Sequence, residues 1–138
     1  MSISETALTV RYAETDQMGI VHHSNYAVWF EAGRTDFIRK MGLPYSEIEE
    51  SGALLPLVEL RCFFRGAAKY EDEIVVRTSI KEYNGIKLTF HYDVCLSGRV
   101  ITEGETVHAW TNRDLKPVNL KKFRPEIHEL VRDAFTGT

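Results

Sequence analysis

Tyr12-Ala-Glu-Thr-Asp16-Gln-Met-Gly19-Ile-Val-His-His23-Ser-Asn25-Tyr-Ala-Val-Trp-Phe-Glu-Ala-Gly-Arg-Thr-Asp-Phe-Ile-Arg-Lys-Met41 is the stretch on which the reading of this chain turns. It holds a carboxylate, a turn glycine and a histidine pair, and it ends in the only long helical pattern before the C-terminal region. Ser24 and Asn25 are good N-cap residues, and Gly42 with Pro44 just beyond stops the helix. About 17 residues at ~1.5 Å each span roughly 25 Å, enough to cross a small domain. The first turns, Tyr26 to Phe30, are apolar in every direction, where a surface helix carries one stripe. This predicts an enclosed helix with a sheet curled round it. The preceding loop then lies at the helix N-terminus, where free N–H groups and about half a positive charge face outward. A carboxylate there, Asp16, beside an imidazole, His23, is equipped for chemistry on a carbonyl.

The bulk numbers bound the answer. A chain of 138 residues with 43% apolar residues fills one core, so residues 1–138 read as a single domain. Charged residues at 27% and a net charge of −3 argue against disorder and against nucleic-acid binding. Met-Ser-Ile-Ser-Glu-Thr lacks the basic start and apolar run of a signal peptide, and no segment has the ~18 apolar residues of a membrane span. A cytoplasmic protein is expected. Cys62 and Cys95 fall inside apparent strands without a pairing framework or a CxxC, and read as buried reduced thiols.

Along the chain, Leu8, Val10 and Tyr12 alternate with Thr9 and Arg11, a strand leading into the key loop. Leu43 to Gly52 reads as a helical turn or two, opened by Pro44 or capped by Ser46. Leu54 to Phe64 reads as a strand with Pro56 at a bulge or unpaired edge position. Ile74 to Tyr83 is followed by Asn84-Gly85, the strongest hairpin signal present. Lys87 to Leu96 places Leu88, Phe90, Tyr92, Val94 and Leu96 on one face. After Ser97-Gly98, Val100 to about Asn112 returns, its length suggesting a bend at Gly104. Leu120 to Phe135 has helical spacing. The outcome is α+β: one long helix in a curled antiparallel sheet of about five strands.

Tyr12-x3-Asp16-x2-Gly19-x3-His23-x2-Tyr26-x2-Trp29-x-Glu31-x2-Arg34 resembles the signature of the hot-dog-fold acyl-CoA thioesterases, the group of 4-hydroxybenzoyl-CoA thioesterase and the Tol–Pal-cluster thioesterases. Gly42-Leu-Pro44, the meander and the Lys116-Pro117 exit extend the likeness over nearly the whole chain. The resemblance implies a hot-dog fold, coenzyme A thioester substrates, no metal or other cofactor, and a homodimer with a continuous sheet. It places the catalytic aspartate on Asp16, with Tyr12 and His23 as its companions. The thioester oxygen would meet backbone N–H groups around His23 to Asn25, which puts substrate against Gly19, Ser24, Asn25 and Tyr26. Gly33 stands where such sequences often have alanine, and His22 where an aromatic is usual. Asn84-Gly85 stands where some aryl-CoA members carry arginines, which points toward an aliphatic acyl-CoA.

Each residue also has a plainer reading. Asp16 can cap its own turn, His23 can be a locally bonded helix residue, and Tyr12 can be core. Glu31 can pair with Arg34, three positions on. Gly33 costs about 1 kcal/mol in mid-helix, which close packing on the sheet would explain. Lys116, Lys121, Lys122 and Arg124 read as a solvated face before a clamp for CoA phosphates. No zinc spacing, GxSxG, Walker loop or GxGxxG is present. The leading function is acyl-CoA hydrolysis, with Asp16 as nucleophile or general base. The alternatives are a hot-dog enoyl-CoA hydratase or dehydratase, and a non-catalytic acyl-CoA or acyl-carrier binding module. Unpaired sheet edges lead to a homodimer, or a homotetramer, with shared sites.

Overall fold

The computed structural model describes residues 2–137. The alternating segments form one antiparallel sheet from β1 Ile3–Thr9, β2 Leu57–Phe64, β3 Glu73–Tyr83, β4 Lys87–Leu96 and β5 Arg99–Ala109. Its order is β1-β3-β4-β5-β2, so the strands before and after the long helix become the two edges. The helix, α1, runs Ser24–Lys40 across one face of the sheet. No helix among the described residues is long and apolar enough to cross a membrane.

α1 buries Tyr26, Trp29, Phe30, Gly33, Phe37 and Ile38, a stripe at three- and four-residue spacing. Val28 is 54% exposed, and Glu31 and Thr35 also face outward. The helix expected to be enclosed is therefore covered on one side only, because five strands from one chain shield a single face. Two glycines set how closely it lies. The Phe30 ring stacks on Tyr92 at 4.4 Å and sits over Gly104, where a Cβ would come within 2.2 Å of it. At Gly33 a Cβ would lie 2.6 Å from Thr78 Oγ1 and 2.8 Å from Val76, which accounts for that glycine by packing. The bend expected at Gly104 lies elsewhere. Gly104 keeps regular register with Cys62 and Tyr92, and the irregularity falls between Val94 and Cys95, opposite Val100 and Thr102.

Other expectations need correcting. β1 ends at Thr9, and Tyr12 opens a single 3-10 turn, Tyr12–Glu14, rather than ending a strand. β2 begins after Pro56, with a register shift between Leu57 and Glu59, and Leu54 makes only an isolated bridge to Thr111. α2 spans Tyr45–Glu50 with Pro44 at its N-cap. The C-terminal helix is two pieces, α3 Leu120–Phe123 and α4 Pro125–Thr136. Pro125 forces Arg124 out of the helical region, to φ −142° and ψ 81°, and opens α4 as its first residue. Arg124 is a structural tie: its guanidinium donates to Ser51 O at 2.8 Å and lies 4.0 Å over the Phe123 ring. The two cysteines are half-buried rather than buried, and free.

Arg34 pairs with no carboxylate among the described residues; it points inward instead and donates to Tyr92 Oη at 3.4 Å. Tyr92 Oη is 2.5 Å from Thr106 Oγ1, which is 2.8 Å from His108 Nε2, and His108 Nδ1 is 3.2 Å from Leu55 O. A guanidinium only donates and a carbonyl only accepts, so every hydrogen in this buried chain points one way. His108 is thereby the neutral Nδ1–H tautomer. Burial, with the Arg34 charge nearby, holds its pKa down to about 4.

Replacing Gly104 with alanine drives a methyl into the Phe30 ring and is expected to lower stability by about 1–3 kcal/mol in urea unfolding. Asp36 supplies a pH test. The Thr6 hydroxyl, 2.7 Å away, outweighs burial and, with Lys40 and Arg39, holds the carboxyl down at about 2. A depressed carboxylate contributes stability above the ordinary range, and that contribution is lost as pH falls from about 4 through 2. Asp36→Asn is expected to lower stability at neutral pH by about 1–2 kcal/mol, with the difference from wild type closing near pH 2.

Candidate active site

Between β1 and α1 the chain must turn back on itself, and Glu14 fastens that turn. The residue is only 4% exposed. The carboxylate accepts from the Arg11 N–H at 2.8 Å and the Trp29 indole N–H at 2.9 Å, with the Arg11 guanidinium 3.5 Å away. Its carbonyl accepts from the His22 N–H and the Asn25 side-chain amide, both at 2.9 Å. Burial pushes the carboxyl up, and the hydrogen bonds with the Arg11 charge outweigh it, so the group sits below the usual carboxylate range. Glu14 was not singled out from the sequence. The available signal was Trp29 on a buried stripe, since a buried indole needs an acceptor.

Asp16 closes the loop tip. Its Oδ1 accepts from the Met18 N–H at 2.9 Å, and its carbonyl accepts from the Gly19 N–H at 2.9 Å, with Gly19 at φ +78°. This is the turn-capping geometry of a short acidic side chain. It occupies one carboxylate oxygen; Oδ2 has no hydrogen-bond partner among the described residues. The loop is sewn to the segment after β2 by the Val21 N–H on Ala68 O at 2.9 Å.

The start of α1 decides which donors remain open. The N-cap residue is His23, at φ −57° and ψ −27°, rather than Ser24 or Asn25. The Asn25 N–H donates to His22 O at 3.0 Å and the Tyr26 N–H to His23 O at 3.3 Å. The Ser24 N–H donates to His22 Nδ1 at 3.2 Å. Of the donors a helix N-terminus leaves unsatisfied within itself, the His23 N–H alone has no acceptor among the described residues.

Asp16, His23 and Tyr26 line one cleft of about 160 Å³, with Phe64 at the end of β2 and Gly66 and Ala67 beyond it. Tyr26 packs edge-on against Trp29 and Phe64, and burial pushes its phenol pKa up, with the Thr102 hydroxyl pulling the other way. Gly19, Ser24 and Asn25 adjoin the cleft in sequence without lining it; Asn25 spends its amide on Glu14 and His22. Tyr12 is not brought in: it is 74% exposed, edge-on to Tyr70 at 5.4 Å. A larger hollow of about 300 Å³ lies at the far end of α1 beside Phe37, Met41 and Leu130, away from these residues. Pockets that hold whole small ligands run from about 300 to 1,000 Å³, so the Asp16 cleft accommodates the reacting part of a substrate rather than all of it. Among the described residues no group of three or more His, Cys, Asp or Glu is placed to hold a metal ion.

The sequence profile of the thioesterase-like superfamily matches residues 10–132. A Bacillus subtilis protein, YneP, named provisionally as an acyl-CoA thioesterase, is 38% identical over 136 residues, 97% of this chain and 99% of its own length. The acyl-CoA thioesterase YbgC of Haemophilus influenzae is 32% identical, over 88% of this chain and 91% of its own. A crystal structure of a DHNA-CoA thioesterase from Staphylococcus aureus superposes with a TM-score of 0.92 at 32% identity, over 96% of this chain and 91% of that one. The sheet order, the helix laid across it and these matches agree: the chain belongs to the thioesterase-like superfamily and has its hot-dog fold.

Proposed function

We propose that the protein, an acyl-CoA thioesterase at the level of its family, hydrolyses its ester in the cleft between Asp16 and the start of α1. The observation that carries this is the pairing of a carboxylate oxygen without a partner with an open helix N-terminal donor, the His23 N–H, on two residues lining one cleft. The thioester oxygen accepts from that N–H as negative charge develops on it; a single donor of this kind is worth about 2.7–4 kcal/mol by analogy. Asp16 Oδ2 then attacks the carbonyl carbon, the tetrahedral adduct collapses with C–S cleavage to release CoA thiolate, and water hydrolyses the mixed anhydride that is left on Asp16. In the second route Asp16 takes a proton from water, and the water attacks. The His23 ring, on the same cleft, orients the acyl group. Tyr12, exposed outside the cleft, would touch substrate only along its approach.

The cleft is small because one wall is missing, and β2 supplies the reason for a second copy. This edge strand exposes Leu57, Val58, Leu60, Phe63 and Phe64, each between 43% and 61%. Its outer row of backbone groups is unpaired on an edge rich in apolar side chains, an arrangement that favours pairing with an identical strand. Phe64 belongs to both the strand and the cleft, so pairing there would complete each site with partner residues. Two unpaired thiols suit a reducing compartment, the cytoplasm. Relatives include a protein named for DHNA-CoA and another for gentisyl-CoA, so aromatic and aliphatic esters both belong in the substrate screen.

Asp16→Asn keeps an oxygen for the Met18 N–H, so it should fold normally while kcat for thiol release falls by roughly 10²–10⁴. Wild-type turnover in that variant would remove Asp16 from the mechanism. Single-turnover hydrolysis in ¹⁸O-water distinguishes the routes, because only carboxylate attack leaves label in Asp16. Sedimentation should give a dimer or tetramer, and Leu60→Lys should shift it toward monomer with loss of activity. A wild-type monomer fully active at nanomolar concentration would refute the shared site.

A further inference from the structure

We infer that the neutral imidazole of His22 is a positioning residue for the reaction proposed above. It caps α1 and holds the first turn so that the His23 N–H remains the open donor. The Ser24 N–H reaches His22 Nδ1 at 3.2 Å, and Ser24 Oγ lies 2.9 Å from the same nitrogen. A backbone N–H can only donate, so Nδ1 must carry its lone pair and the ring proton must sit on Nε2. The role that Ser24 or Asn25 would fill by composition has passed to the ring of the residue before the N-cap.

The rest of His22 is committed to the same turn. Its N–H donates to Glu14 O, and its carbonyl accepts from the Asn25 N–H at 3.0 Å and the Asn25 side-chain amide at 3.2 Å. Its ring lies against the His23 ring with centroids 4.0 Å apart and planes 33° apart. An aliphatic residue at this position would leave the Ser24 N–H open beside the His23 N–H, with two competing places for a carbonyl oxygen. His22 removes one of them.

This device works only with an unprotonated ring. Once Nδ1 carries a proton it can donate to Ser24 Oγ but can no longer accept from the Ser24 N–H. The new cation would also sit at the positive end of the α1 dipole and against His23. The titratable groups on the surrounding elements are His23 on the same segment, Arg11 just before the 3-10 turn, Tyr12 and Glu14 on it, and Asp16 at the loop tip. Glu14 is already engaged by Arg11 and Trp29 and is not free to neutralise the ring, and Asp16, although it keeps one open oxygen, forms no ion pair with the His22 ring. Protonation therefore loosens the first turn, and kcat falls with it.

Two variants and one spectrum test this. His22→Asn offers a non-titrating acceptor and should keep kcat within about twofold of wild type at pH 8, with the acid-side fall reduced. His22→Phe keeps a flat ring without an acceptor and should lower kcat on the order of tenfold, with KM little changed. Ring ¹⁵N shifts of histidine-labelled protein, with His22 assigned by its loss in His22→Asn, should show the Nε2–H tautomer at pH 8. A protonated Nδ1 at that pH overturns the cap, and so does full activity of His22→Phe across the pH range. An unchanged acid limb in His22→Asn overturns the positioning role. If wild type releases no thiol from any acyl-CoA ester, the proposed function fails and the positioning role with it. The tautomer then still reads the cap by itself.

Discussion

One buried carboxylate, Glu14, ties the Asp16 loop to the helix, and the arrangement of the cleft follows from it. Its two oxygens and its carbonyl gather donors from Arg11, Trp29, His22 and Asn25, which span the loop and the first turns of α1. A short loop closing over a helix end leaves many backbone groups without partners, and each one left buried and unpaired costs about 1–3 kcal/mol. A single acceptor-rich residue placed at the crossing resolves several at once. It also fixes Trp29, which in turn braces Tyr26 on the wall of the cleft. The Asp16 tip is then free to hold itself by an internal turn, with one oxygen to spare.

The elements with a strong period were legible in the sequence: α1 runs Ser24–Lys40, close to where the sequence put it although its N-cap is His23, and β3, β4 and β5 form the meander that Asn84-Gly85 and Ser97-Gly98 punctuate. The misreadings have two causes, distant packing and a local signal passed over. Gly104 looked like a bend because a glycine in a strand has two uses, and only the position of Phe30 across the core shows which applies. The Tyr26 to Phe30 run looked enclosed because apolar composition does not record which positions of a helix the sheet will reach, and Val28 stays outside it. Pro125 was a local signal passed over: its ring breaks the C-terminal helix in two.

For the site, Asp16, His23 and Tyr26 line one cleft, while Tyr12 faces away. The helix cap was assigned to the residue types with the best propensity, Ser24 and Asn25. Propensity averages over contexts, and here a histidine ring reached the Ser24 N–H first, leaving Asn25 to bridge Glu14 and His22. Glu14 itself was hidden because a glutamate among polar loop residues resembles solvent-facing charge until its partners are known.

The placement of β1 and β2 at opposite edges has a consequence for how the chain reaches this state. β3, β4 and β5 are joined by tight turns and can pair as soon as they are made. β1 must wait for β3, whose residues lie about 65–75 positions away, and α1 must already lie on the sheet to receive Thr6 at Asp36. Closure of so long a loop is entropically late, so the β3–β4–β5 meander should assemble first and receive α1 and then β1. The first strand would then act as the latch, and the Asp16 loop, which hangs between that latch and α1, would be among the last parts of the molecule to take shape.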